Sequence, residues 1–294
     1  MEKEKTREHQ VPKFYLERFA DDNNLLWVYD TKRKREYVNT PDSEGYVNNL
    51  YETKWEDANP DLGEYILPNS IENIFCGYEG EFATLMRALD RKIIPEQNTN
   101  AIICNKDEAV LLRRFIANLY FRNPIIMNYF VNKSLDEPMD EEIKSICELL
   151  DKMEWGGGES LVRAAIKKAI LTEEIDGGFI EIFIRGIEKI PFMFIYNHSG
   201  KFLVSDMPVK IGEDKTISTD NKTAIFLPLS KTYAVLFGAY EKVKRNRLVI
   251  LEDDLVEEFV DKYVMACLHD KCKIYFSNRD DRERFIEKSK TTFR

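Results

Sequence analysis

Apolar residues recur at helical spacing across residues 71–90. Ile71, Phe75, Tyr78, Phe82, Leu85, Met86 and Leu89 fall on one stripe, and Ser70 stands where it can cap the start. The spacing predicts a second helix over 106–122, with an apolar face of Val110, Leu111, Leu112, Phe115, Ile116, Leu119 and Tyr120. Asn105 followed by Glu108 fits a capping box, and Pro124 limits its continuation as one rod. Further helices are expected at about 125–133, 139–153 and 159–173, with Gly156-Gly157-Gly158 as the hinge between the last two.

From about residue 190 the pattern changes. PFMFIYN, KFLVSD, AIFLPLS and YAVLFGA are rich in aromatic and β-branched residues and read as antiparallel strands. An acidic helix over 252–268, a closing strand KIYFSN (273–278) and a charged helical tail follow. Nearer the start, LLWVYD-TKRK-REYVN (25–39) predicts two short strands around a charged turn. Residues 40–70, with Pro41, Gly45, Pro60, Gly63 and Pro68, read as irregular. The expected class is α+β: an N-terminal β-hairpin and helical block packed on a C-terminal antiparallel sheet. No linker divides the chain, so residues 1–294 are expected to form a single domain. Its sub-regions are 1–70, 71–189 and 190–294.

Composition narrows the class without naming a function. The chain has 294 residues, 44% hydrophobic and 32% charged, with a formal net charge of −9. No apolar run approaches the roughly 18–20 residues that span a bilayer, and the charged start MEKEKTREHQ carries no secretory signal or lipidation motif. A cytoplasmic protein with no membrane partner is expected. The acidic balance argues against a wholly nucleic-acid-coated surface but leaves room for a local basic groove. Five cysteines, at 76, 104, 147, 267 and 272, form no CxxC pair and read as reduced core residues. With only His9, His198 and His269 available, a metal would be held mostly by carboxylates, which favours Mg²⁺ or Mn²⁺.

Four places carry candidate chemistry, each against a plainer alternative. His9, in HQVPKFYLERFA, sits in a segment that Pro12 holds extended; it is a possible general base or ligand, or a hydrogen-bonding residue near a terminus. Glu72 and Glu79 are seven residues apart, so on a helix they point about 20° from each other, at the border of the apolar stripe. They can share a cation or hold a raised pKa, or simply form a solvated flank. Glu81 points to the wet side. Arg122, in LYFRNP, is placed either to offset the helix dipole or to clamp an anion, while Arg113 and Arg114 diverge from it. Asp206, in Ser205-Asp206-Met207-Pro208, either ends a strand or is a carboxylate presented at a strand end. Glu213-Asp214-Lys215 matches the (D/E)xK pattern of a nuclease fold, at a spacing from Asp206 that is short for it. The basic runs Lys32–Arg35 and Lys242–Arg247 suit phosphate contacts or hydrated turns, and the triple glycine has no phosphate-loop context.

HQVPKFYLERFA resembles the opening HxxPxFYLxxF motif of an uncharacterised, mainly bacterial family, domain of unknown function 4238. The strand LLWVYD, the helix IENIFCGYE, FRNP, FLVSDMPV and FLPLS follow in the family's order, from about residue 9 to about 278. Met207 stands where members often carry asparagine, which leaves Asp206 without a polar neighbour there. The resemblance implies no assigned activity. It does single out His9, Glu79, Arg122 and Asp206 as the polar members of apolar motifs, costly to bury unless paired. The expectation is that the four converge in one pocket between helical block and sheet.

Two functions fit such a pocket. In the first, a hydrolase of nuclease or phosphodiesterase type, Glu79 and Asp206 hold a divalent cation or Asp206 orients His9. His9 is then the acid–base group, Arg122 neutralises transition-state charge, and nucleic acid is the candidate partner. In the second, a non-catalytic binding or regulatory module, the same residues form a structural polar network.

Overall fold

Pro12 sets the first turn of the chain. With φ −58° and ψ 139° it joins an extended strand, β1 (Arg7–His9), to a short helix, α1 (Lys13–Leu16). The computed structural model describes residues 7–55, 63–94, 102–136, 141–152, 157–213, 223–238 and 246–292. The expected hairpin follows as β2 (Leu26–Asp30) and β3 (Arg35–Asn39), with Lys34 in the left-handed region at the turn. Within the stretch read as irregular lies β4 (Tyr46–Asn48), which pairs antiparallel with β1 in the register His9↔Tyr46. Gly45 makes that pairing possible. Its φ is +70°, and a Cβ there would lie 2.7 Å from the Val11 carbonyl oxygen and 2.8 Å from Leu16 Cδ1.

The helical block comprises α2 (Ser70–Lys92), α3 (Lys106–Phe121), α4 (Pro124–Asp136), α5 (Glu141–Lys152), α6 (Gly158–Leu171) and α7 (Phe179–Ile187). The Asn105–Glu108 capping box forms with both of its bonds, 2.8 and 2.9 Å. At α2 the cap is Asn69 in the left-handed region rather than Ser70, which is already helical. Val110 of α3 faces water, and Ala117 and Asn118 take the inner positions. Gly157 and Gly158 form the corner between α5 and α6, where a Cβ on Gly158 would meet the Cys147 carbonyl oxygen at 2.4 Å; Gly156 lies outside the described residues.

The rest of the chain supplies β5 (Phe192–Tyr196), β6 (Val204–Ser205), β7 (Lys210–Glu213), β8 (Thr223–Pro228), β9 (Tyr233–Phe237) and β10 (Leu248–Ile250). It closes with α8 (Asp253–His269), β11 (Lys273–Phe276) and α9 (Arg279–Thr292). One sheet has the order β10-β5-β9-β8-β7, antiparallel except for the parallel β10–β5 pair. The other, β3-β2-β11-β6, joins the N-terminal hairpin to the closing strand. The KFLVSD strand therefore pairs with β11, not with its sequence neighbours, and only Val204 and Ser205 of it are strand. The class is α+β. The largest core cluster joins α1, α2 and α3 to the inner face of the five-stranded sheet through Tyr15, Phe82, Phe115, Phe194 and Phe237. No helix among the described residues is long and apolar enough to cross a membrane.

Candidate functional site

Arg122 is the largest fully buried side chain among the described residues, and the LYFRNP sequence fixes it there. Its N–H closes α3 on the Asn118 carbonyl, and Asn123 then caps α4 through Ile125 N–H (2.9 Å) ahead of Pro124. A residue between two such closely joined helices has little freedom to swing out. Both Arg122 Nη1 and Nη2 donate to Glu79 Oε1 at 2.9 Å, and Nε donates to the Tyr51 hydroxyl at 3.2 Å. The guanidinium carbon lies 3.9 Å from the centre of the Phe75 ring. Burial works against this charge, but Tyr51, Glu79 and Glu72 outweigh it and the guanidinium is held cationic.

Tyr51 links this pair to the N-terminal motif. Its hydroxyl donates to the His9 carbonyl oxygen at 2.7 Å, and its own N–H donates to Glu8 Oε2 at 2.7 Å. His9 and Glu8 are strand neighbours, so their side chains leave on opposite faces. His9 packs edge-on against Tyr46, with ring centroids 6.4 Å apart. Its Nε2 is buried and has no hydrogen-bond partner among the described residues. Burial lowers its pKa below the ordinary 6.5, with Glu79 opposing that shift and Arg122 adding to it. Arg7, exposed and on the same side of β1, stacks its guanidinium 4.8 Å from the Tyr46 ring centre and makes no ion pair among the described residues.

On the other face of β1, Glu8 is fully buried. Burial pushes its carboxyl up to about 8, the Tyr51 N–H pulls it down, and the Glu52 and Glu72 carboxylates raise it. Lys167 of α6 donates to the Glu52 carbonyl oxygen at 2.7 Å, and its burial lowers its pKa. Glu72 and Glu79 both influence Arg122, whereas Glu81 faces water and pairs with Arg114. Arg113 turns away, donating to the Ile187 and Glu188 carbonyls.

Asp206 belongs to a different neighbourhood. Its Oδ1 accepts from the Lys273 N–H at 2.9 Å, on the four-stranded sheet. Burial pushes its carboxyl up to about 7; the Lys273 N–H and the Lys273 and Lys210 charges oppose this, and Asp30 adds to it. It shares no hydrogen bond or ion pair with His9, Glu79 or Arg122. The hydrogen bonds thus join Tyr51, Arg122 and Glu79 with the His9 backbone carbonyl, and Asp206 takes no part in them. The reason is topological, since β6 pairs with β11 and carries Asp206 to the other sheet. Ser205 ends the strand by a local turn, its hydroxyl bonding Met207 O and N. Among the described residues no group of three or more His, Cys, Asp or Glu is arranged to hold a metal ion. Asp214 and Lys215 lie outside the described residues, as does Lys242–Arg247 apart from Asn246 and Arg247.

Sequence reasoning missed Arg7, Glu8 and Tyr51. The alternation around His9 offered a signal for the first two, since residues i and i−2 share a strand face. Tyr51, 42 residues from His9, offered none.

The structure is that of an α+β protein in which Tyr51 joins the Arg122–Glu79 pair of two helices to the His9 backbone carbonyl of an N-terminal strand pair. Residues 7–288 match the model of the family described as Protein of unknown function (DUF4238), and the chain belongs to that family. No curated protein and no solved structure matches the chain.

Proposed function

We propose that the protein is a hydrolase of the nuclease or phosphodiesterase type, with His9 as its acid–base residue. The observation that carries this reading is His9 Nε2, buried and without a hydrogen-bond partner among the described residues. An imidazole nitrogen left so is costly, and a water or substrate oxygen supplies what is missing. The lowered pKa keeps the ring neutral near pH 7, the form that takes a proton from an attacking water. Arg7, cationic and without an ion pair among the described residues, lies on the same side of β1 to meet a phosphate oxygen. Tyr51 and Arg122 act as positioning residues, since they hold the His9 backbone and not the reacting atoms.

The test is incubation with RNA and with DNA, in Mg²⁺, Mn²⁺ and chelator, beside His9→Ala and Arg7→Ala proteins. Cleavage that falls at least about 100-fold in His9→Ala supports the reading, with Arg7→Ala raising KM more than it lowers kcat. Equal cleavage in all three proteins removes it. The non-catalytic reading has its own observation: Arg122 is fully buried with every donor group engaged, as in a structural lock. It predicts no cleavage of either polymer above buffer and a loss of stability in Arg122 variants alone.

A further inference from the structure

The second polar neighbourhood, around Asp206, holds two thiols that the proposed hydrolysis does not use. Cys267 lies in the last turn of α8 and Cys272 immediately before β11. The Cys272 N–H donates to the Cys267 carbonyl oxygen at 3.2 Å, closing a six-residue loop in which Lys271 takes the left-handed conformation. The Cys272 thiol also points back, with Sγ 3.1 Å from that same oxygen. Residues at the neck of so short a closed loop meet the separation that a disulfide needs without a large backbone shift.

From this geometry we infer that Cys267 and Cys272 are a redox-active dithiol that closes to a disulfide on reaction with a peroxide. Cys267 is the attacking thiol. The helix C-terminus and burial both oppose a thiolate there, but the Cys272 S–H, the Lys210 ammonium and Ser205 favour it. Asp206 and Tyr263 are the other titratable neighbours and act against it. Both cysteines are buried; a cavity of about 320 Å³ between β7, β8 and α8 is lined by Lys210, Tyr263 and Ala266, the residue before Cys267, but by neither cysteine. In the first step the Cys267 sulfur attacks one peroxide oxygen, the O–O bond breaks, and water leaves a sulfenic acid. In the second the Cys272 thiol attacks that sulfur, the S–S bond forms, and a second water leaves. The sum is two thiols and one peroxide to one disulfide and two waters. A dithiol reductant reverses it.

Cys104 and Cys147 are internal controls, because both are buried and neither has a second cysteine beside it in the sequence or in its hydrogen bonds. The experiment caps exposed Cys76 under native conditions, adds hydrogen peroxide, then denatures, alkylates and maps peptides by mass. Cys267 and Cys272 are expected to lose alkylation together, in a linked product two hydrogen masses lighter that a dithiol restores. Cys104 and Cys147 remain alkylated. Lys210→Met slows the closure, because it removes the ammonium that favours the Cys267 thiolate, and Cys272→Ser leaves a sulfenic acid at Cys267 that a dimedone-type probe captures. Full alkylation of both cysteines after peroxide overturns the inference, as does oxidation of Cys104 at the same rate.

Discussion

The two buried polar neighbourhoods satisfy their charges in opposite ways. Around Arg122, a fully buried cation meets a carboxylate, a phenol and an aromatic face, and every donor group has an acceptor. Around Asp206, a carboxyl has one backbone N–H and cations only at a distance, so its pKa rises to about 7. The first neighbourhood ties together segments far apart in sequence: β1, Tyr51, α2 and the α3–α4 junction. The second does so too, bringing β6 beside β11 and the end of α8, with Asp206 and Lys273 lying 67 positions apart. The pairing of Arg122 fastens the fold, whereas the partly paired carboxyls, Asp206 in the second neighbourhood and Glu8 beside the first, are able to change state near neutral pH.

Arg122→Met should therefore show the largest effect on stability. Breaking a buried ion pair costs about 3–5 kcal/mol. Glu79 is 28% exposed and can rehydrate, so a loss near about 3 kcal/mol is expected from urea unfolding. Lys210→Met, in the second neighbourhood, breaks a pair with the partly exposed Asp270 and should cost only about 1 kcal/mol. Equal costs would break the contrast between the two.

Tyr51→Phe comes next. It removes the donor to His9 O and the acceptor of Arg122 Nε while keeping the ring against Phe75. A loss of about 1–2 kcal/mol is expected, together with a lower kcat in any hydrolysis that depends on His9.

The contrast also has a readout in pH dependence. Asp206 and Glu8 both have folded pKa values above their unfolded ones, so between the two values the folded state binds more protons and stability falls as pH rises. The windows are about 3.8 to 7 for Asp206 and 4.5 to 8 for Glu8. Asp206→Asn should flatten the first window and Glu8→Gln the second. Unfolding midpoints measured every half pH unit would show whether either slope survives.

Much of this architecture is legible in the sequence because it rests on local rules. The α2 stripe, the Asn105–Glu108 box and the hairpin at 25–39 each depend on residues within a few positions of one another. So does the shared direction of Glu72 and Glu79, which both act on Arg122. What escapes is long-range pairing. Nothing near Val204 says that it will pair with Tyr275 and not with β5, and that one choice separates Asp206 from His9. Short elements escape for the related reason that three residues carry no periodicity, as in β1, β4 and β10. The α7 helix, whose apolar run FIEIFIRGI is broken only by Glu181 and by Arg185-Gly186, reads as neither helix nor strand by spacing alone.

The central claim is that His9 acts on a substrate rather than bracing the fold. The direct measurement is the phosphodiester cleavage rate and the urea unfolding midpoint of His9→Gln, taken on one preparation beside the unaltered protein. The account predicts a rate at least about 100-fold lower with stability within about 1 kcal/mol, and in the unaltered protein a rate that declines only on the acid side of the ordinary imidazole range, where the ring with its lowered pKa gains a proton. An unchanged rate, or a loss of rate that merely follows a loss of folding, contradicts it.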